Sequence, residues 1–480
     1  MTSDGAGATE GTGDPVLEPA VAPLSDRRRR LAMTAIVMTI LMANLDASIV
    51  NVALPRLSQA LHATPQATVW VTTASLLTTA CAVPAVAALG DQVGRRRLFL
   101  VGVPLFTLAS AGCALSPSLP VLLACRVTEA LGTSAIFAVA IPVLRHLFPP
   151  SRLGSILGVN AMMTAIGVSA GPTLGGLVLA WLDWPWLFVL NVPLGLTAFA
   201  LGLYAIPSRA SERGQYDAAG AVWAAVAIAS FMLGLHQLVQ VSTLWQAGVL
   251  LGVCAFAVAA FLRRERAAAR PVIPLFIWNG VFSLSVVTAF WSFFGQGVAF
   301  VALPFLFQSA YGATPLRSAL LFTPWPAVIM VVAPFAGRLA DRARPATLVT
   351  VGLGIYVAGL LWIALLGDAP RTWVIMTATG LAGLGFAFFQ SPNNREMQGA
   401  VPLVHAASGA AVLNLNRSIA QSTGSGAVSM ALILTGATSG SLLAQARAAT
   451  SVLWVAVLGA ALSLVLSAAK LRTVLRAERA

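Results

Sequence analysis

The sequence predicts an all-α membrane protein of fourteen transmembrane helices, and three observations carry that prediction. Of 480 residues, 58% are hydrophobic and only 9% are charged, far below the roughly 25% of soluble domains. Apolar runs of about 20 residues, the length that takes a helix across roughly 30 Å of hydrocarbon, recur from residue 31 to residue 470. The connections between these runs are alternately rich and poor in arginine, as the loops of a multi-pass chain are.

In chain order, residues 1–30 begin as a Gly/Thr/Glu/Pro/Ala tail that cannot build a core and is expected to be disordered and cytoplasmic. No apolar segment follows Met1, so a cleaved signal peptide is not expected. A first group of six spans, at 31–54, 66–88, 98–116, 120–141, 155–178 and 186–206, makes an N-terminal half over 31–206. Spans 217–239 and 246–262 lie in a segment of two inserted helices over 207–270. Six more, at 281–309, 316–338, 347–366, 371–391, 407–434 and 451–469, make a C-terminal half over 271–470, and 471–480 is a second cytoplasmic tail. "QSPNNRE" (390–396) is expected to end the twelfth span near Pro392.

Of the 29 basic residues, 23 fall on one side of this topology, four on the other, and Arg126 and Arg417 inside spans. Lys and Arg collect in short cytoplasmic loops, so both termini are expected in the cytoplasm, with the chain in the inner (cytoplasmic) membrane. The net charge of +13 then reflects orientation and contact with anionic lipid head groups, not nucleic-acid binding. Lys470 is the only lysine, which removes a Walker-type phosphate loop, and HExxH is absent, so an enzyme is not expected. Cys81, Cys113, Cys125 and Cys254 lie in apolar spans without metal-ligand spacing; neither a metal nor a cofactor is expected.

"ALGDQVGRRR" (88–97) and "AGRLADRARP" (336–345) place Asp91 and Asp341 250 residues apart, each after the second span of a half. Such a pair implies an internal duplication. Asp91, Gly94, Arg95, Arg96, Asp341 and Arg342 then form a loop motif whose acid and arginines can pair at the cytoplasmic mouth and hold one conformation closed. Four stretches, "LDASIVNVALP" (45–55), "GDQVGRRR" (90–97), "RVTEALGTSA" (126–135) and "GVSAGPTLGG" (167–176), resemble the major facilitator superfamily and, within it, the fourteen-span drug:proton antiporter family. The resemblance covers nearly the whole chain from residue 31. It departs from the family pattern at Ala87, Gln92 and Arg344 in the loop motifs, and at Glu129, where a Gln is expected. It implies two six-helix halves and multidrug efflux by proton antiport.

Asp46, Arg126 and Glu129 are charges inside hydrocarbon, where an ionised group persists only with a partner, a cavity or a proton to carry. At about 1.5 Å per residue Asp46 lies roughly 12 Å from the outer end of its span, Arg126 roughly 9 Å and Glu129 roughly 13 Å, and the latter two share a helix face. All three could therefore meet across one cavity. They are the candidates for proton coupling, the acids carrying the proton and Arg126 tuning them; a static ion pair that fixes helix packing is the competing reading. Gly167, Gly171 and Gly175, four apart, form a close-packing stripe beside Pro172, and together with Gly176 they make the segment that the family resemblance associates with antiporters. Asn51, Asn414, Arg417 and Gln421, with Trp291 and Phe294 of "FWSFF" (290–294), are the candidate cavity residues. The expected partners are protons, the bilayer and a hydrophobic, cationic substrate, for a chain that can act as a monomer. The alternative is an exporter or importer of a specific metabolite, an anionic one if Arg126 and Arg417 are its recognition charges; two buried acids and two buried arginines leave the charge of the substrate open.

Overall fold

A computed structural model describes residues 25–148, 150–207, 218–237, 244–267, 277–340, 342–367, 370–401, 406–435 and 442–477, all in helices and the turns between them. The first half comprises α1 (Asp26–Ala60), α2 (Pro65–Val93), α3 (Arg95–Ala114), α4 (Leu119–Leu147), α5 (Pro150–Trp181), the one-turn α6 (Trp186–Val189) and α7 (Asn191–Ala205). Then come α8 (Ala218–Gln237) and α9 (Leu244–Ala267). The second half comprises α10 (Gly280–Phe305), which continues into a wider π turn (Leu306–Ala310), α11 (Pro315–Phe322), α12 (Pro324–Leu339), α13 (Pro345–Ala364), α14 (Thr372–Gly399), α15 (Ala406–Leu434) and α16 (Leu442–Ala477).

Among the described residues, eleven helical segments are long and apolar enough to cross a membrane, and Ile166–Trp181 and Ala219–Gly234 are shorter apolar helices. Length and hydropathy thus return fewer crossings than the fourteen expected. α15 is one reason: its 29 residues include Asn414, Asn416, Arg417 and Gln421, which dilute its apolar character. Several expected boundaries also move. Helix α1 opens at Asp26 because the Ser25 hydroxyl accepts from the Arg28 N–H and Asp26 sits in the first turn, so residues 26–30 are not disordered tail. Helix α16 runs to Ala477, through most of the expected C-terminal tail. Helix α14 passes through Pro392 to Gly399 rather than ending there. One missing N–H is tolerated inside a bundle, and the next residue, Asn393, ties the segment to α10 by donating to the Ser285 carbonyl at 3.4 Å.

The duplication appears as repeated packing. Helix α1 lies on α5 and α7 as α10 lies on α15 and α16, and α2 on α4 as α12 on α14. The closest crossings repeat too. A methyl group on Gly132 would meet the Phe106 Cα at 2.8 Å, and one on Gly385 would meet the Tyr356 Cα at 2.6 Å, so α3/α4 and α13/α14 touch at matching points. The inserted α8 packs on α9 and reaches α2 and α15. Apolar side chains such as Leu108, Trp245, Phe256 and Leu458 are more than 60% exposed around the bundle, as lipid-facing positions require.

The halves are pinned together at the end of the bundle that carries the α1–α2 turn. Thr73 and Ser425 share a hydrogen bond of 2.8 Å, Thr173 and Thr323 one of 2.7 Å, and Gln308 Nε2 donates to the Val52 carbonyl at 3.1 Å. At the same end Gly176 lies against Ala319 and the Pro315 carbonyl, where any side chain would collide. Gly167, Gly171 and Gly175 face α1: a methyl on Gly167 would meet Asn44 Cβ at 2.9 Å, one on Gly175 would meet Ile49 Cγ1 at 2.9 Å, and one on Gly171 would overlap the Ser48 hydroxyl. The Ser48 hydroxyl donates to the Gly167 carbonyl at 3.1 Å across this crossing.

Gly171→Ala is therefore expected to destabilise the purified protein by about 1–3 kcal/mol through overpacking. Gly248→Ala on α9, whose methyl would find nothing within 4 Å, is expected to be neutral or to stabilise by up to about 1 kcal/mol. Thermal unfolding in detergent, followed by circular dichroism, separates the two; equal effects would contradict the α1–α5 crossing.

Candidate functional site

Asp46, Arg126 and Glu129 meet in the N-terminal half and are 3%, 1% and 1% exposed. Arg126 Nη1 lies 2.6 Å from Asp46 Oδ2 and 2.6 Å from Glu129 Oε2, so one guanidinium nitrogen bridges the two carboxylates. The spacing of 126 and 129 puts both on one face of α4, and that face meets α1. Arg126 Nε donates to the Val71 carbonyl of α2 at 3.4 Å, and the guanidinium stands over the Phe188 ring at 5.6 Å.

The sequence reading missed the second ring of contacts. Asn191, at the start of α7, donates from Nδ2 to Asp46 Oδ1 at 3.1 Å and to Ser110 Oγ at 3.0 Å; Ser110 in turn donates to the Phe188 carbonyl. The Cys113 thiol lies 3.7 Å from Glu129 Oε2. Asn191 is 1% exposed in an otherwise apolar helix, and a buried amide there was the available signal. Glu129 Oε1 is buried with no hydrogen-bond partner among the described residues. With both acids ionised, two negative charges share one positive charge; a proton on either carboxyl makes the group neutral.

The expected common cavity is not where these charges meet. The cavity between the halves is lined from α1 by Asn44, Ala47, Ser48 and Asn51, and Asp46 points away from that face toward α4 and α7. Positions 44, 48 and 51 share one stripe of a 3.6-residue helix, and position 46 falls nearly opposite it. The rest of the wall includes Thr72, Val168, Phe300, Arg417, Gln421 and Ser425. About 50 Å³ is open to water-sized molecules, room for a few waters rather than a drug-sized ligand.

Of the candidate cavity residues, Asn51, Arg417 and Gln421 line this space, whereas Asn414, Trp291 and Phe294 do not. Asn414 is exposed. Trp291 and Phe294 stack edge to face, 5.6 Å between centroids, and the Phe294 ring abuts Gly459 of α16, because its side of α10 faces α16. The aromatic in the wall is Phe300, two turns further along α10.

In the loop motif, Gly94 ends α2 with φ +95°, a conformation suited to glycine. Arg96 donates to the Leu203 carbonyl at 2.8 Å, near the end of α7, where free carbonyls want cations. Arg95 has an interaction of its own and Arg342 is exposed. The Asp91 side chain and Asp341 lie outside the described residues. Lys470, counted above with the basic residues of a loop, is 1% exposed: its Nζ lies 2.5 Å from Glu396 Oε2 and 3.1 Å from Ser285 Oγ, joining α16, α14 and α10. Among the described residues no group of three or more His, Cys, Asp or Glu side chains is placed to hold a metal ion.

Two duplicated helical halves, a polar cavity between them and a buried charge group beside it define a multi-pass membrane transporter of small molecules. The Major Facilitator Superfamily model matches residues 36–425, and the chain belongs to that family. It is 36% identical over 405 residues to the uncharacterized transporter YebQ of Escherichia coli K12, covering 84% of this chain and 88% of that one. It is 29% identical to the multidrug resistance protein Stp of Mycobacterium tuberculosis, covering 83% and 75%. Among solved structures, a bacterial homologue of the human lysosomal transporter Spinster, inward-facing and unoccupied, superposes with a TM-score of 0.67 over 94% of this chain and 98% of that one, at 16% identity.

Arg126→Gln strands two buried carboxylates and is expected to cost about 3–5 kcal/mol of stability. Adding Asp46→Asn and Glu129→Gln, which removes both stranded charges, is expected to recover more than half of that loss in the same melting experiment. A triple variant as unstable as the single one would mean that Arg126 acts through packing rather than charge.

Proposed function

We propose that the chain is a fourteen-span drug:proton antiporter of the inner membrane, with both termini cytoplasmic, which exports hydrophobic compounds as protons enter. The observation that carries this reading is the buried pair of carboxylates on a single guanidinium, set behind α1 and apart from the cavity. Such a group can gain and lose one proton without meeting the cargo, and its net charge changes from negative to neutral as it does.

Neighbouring residues of α2 support a route from proton to cavity. The Val71 carbonyl accepts from Arg126, while the next residue, Thr72, donates to Asn51 Oδ1 in the cavity wall at 3.0 Å. Protonation that loosens Arg126 from Asp46 frees α4 from α1 and alters the face that α1 and α2 turn to the cavity. The glycine stripe of α5 supports the seal: it keeps α5 against α1, and Gly176 closes on α11 at the pinned end. With most basic residues at the opposite end, the pinned end is external, and the conformation described is closed to the outside.

A panel of toxins applied to an efflux-deficient host expressing the chain identifies a cargo; everted vesicles energised with a pH gradient then measure its transport. Asp46→Asn is expected to abolish gradient-driven transport while leaving exchange of cargo for cargo. Efflux that continues at an undiminished rate after nigericin collapses the gradient would overturn proton coupling.

A further inference from the structure

We propose that the central cavity takes amphipathic anions, with Arg417 as the group that binds their carboxylate or sulfonate. This rests on the exporter reading and changes its expected cargo from cationic to anionic.

Three observations converge. First, among the described residues Arg417 is the only one lining the cavity with a formal charge, since the buried acids Asp46 and Glu129 turn away from it to bind Arg126. A cationic cargo would therefore enter a space holding one positive charge and no negative one. Second, the other polar side chains of the wall have partners in the protein. Asn44 donates to the Ile40 carbonyl, Ser48 to Gly167, Thr72 to Asn51, Gln421 to Gln296, and Ser425 bonds with Thr73. Arg417 has neither a hydrogen bond nor an ion pair among the described residues; its contact is the Phe293 ring, 5.9 Å below the guanidinium. An aromatic face supports the flat of a guanidinium and leaves its N–H edge free for a planar, two-oxygen acceptor.

Third, once the cavity opens beyond the few waters it has room for in this closed conformation, the rest of its wall suits the body of such a molecule. Leu76, Val168, Phe300 and Val301 supply apolar and aromatic surface, and Gln421 lies one turn beyond Arg417 on the same face of α15. The low dielectric that makes an unpaired guanidinium costly makes a bound carboxylate its most effective relief. Glu396, the acid of the second half largely buried among the described residues, is held by Lys470. A consequence follows for energetics. A monoanion leaving as a proton enters moves two positive charges inward per exchange, so the membrane potential drives export together with the pH difference, whereas exchange of a monocation for a proton would be electroneutral.

The test uses two bicyclic aromatic probes of similar size and opposite charge, 2-naphthoate and N-methylquinolinium, with purified full-length protein in equilibrium dialysis and no pH difference. The expected result is that 2-naphthoate binds at least about tenfold more tightly than N-methylquinolinium, that Arg417→Gln lowers naphthoate affinity about tenfold, and that Arg417→Lys recovers part of it. Each variant is compared only as a monodisperse, folded sample, and Arg417→Lys keeps the charge if Arg417→Gln does not fold. Quinolinium binding as tight as naphthoate binding, undetectable naphthoate binding, or affinity unmoved by either substitution overturns the proposal. Because binding is read without a gradient, a cavity that prefers naphthoate in a protein whose transport ignores pH leaves this site standing and removes the antiport reading; pH-driven transport with no charge preference does the reverse.

Discussion

The cost of holding charge in a low-dielectric bundle governs this molecule. Asp46, Arg126 and Glu129 are each almost wholly removed from solvent, and one guanidinium satisfies both acids only because α1 and α4 cross closely with α7 beside them. Buried ion pairs return little net stability against a well-packed apolar alternative. Their persistence here, with one carboxylate oxygen of Glu129 left unmatched, is better explained by a group that changes charge than by one that holds helices together.

Helix α1 separates two chemistries by its two faces. Asn44, Ser48 and Asn51 look into the cavity, while Asp46 looks into the N-terminal half. The proposed coupling needs no contact between proton and cargo, since a movement of α1 or α2 alters both environments at once. The close α1–α5 crossing makes this economical: with glycines under Asn44, Ser48 and Ile49, the helices form a stiff pair that can move as a unit.

The duplication is structural but not chemical. Gly385 repeats the crossing made by Gly132, yet at the same offset along α14 the places of Arg126 and Glu129 are taken by Thr379 and Ala382, buried and uncharged, beside the aromatic cluster of Tyr356, Phe386 and Phe389. That asymmetry assigns different duties to similar scaffolds. The second half contributes the aromatic packing and the free cation of the cavity; the first contributes the ionisable group. Lys470 and Glu396 join three helices of the second half by a buried bridge of their own.

Apolar run length, the 250-residue repeat and the rarity of charges inside spans were enough, without coordinates, to establish an all-helical duplicated membrane protein and to single out Asp46, Arg126 and Glu129. Those signals are local: each depends on what a residue costs in hydrocarbon, whatever its neighbours. Periodicity along α4 also placed Arg126 and Glu129 together. Which way each side chain pointed depended on how helices rotate against one another, and no single span encodes that. Tertiary packing alone therefore decided that Asp46 faces Asn191 rather than the cavity, that Phe294 faces α16, that α14 continues through Pro392, and that Lys470 is buried against Glu396. The sequence determined that Asp46, Arg126, Glu129 and Arg417 lie inside; the angular setting of one helix on another, fixed by glycine contacts and buried partners spread over the chain, decided what each of them meets.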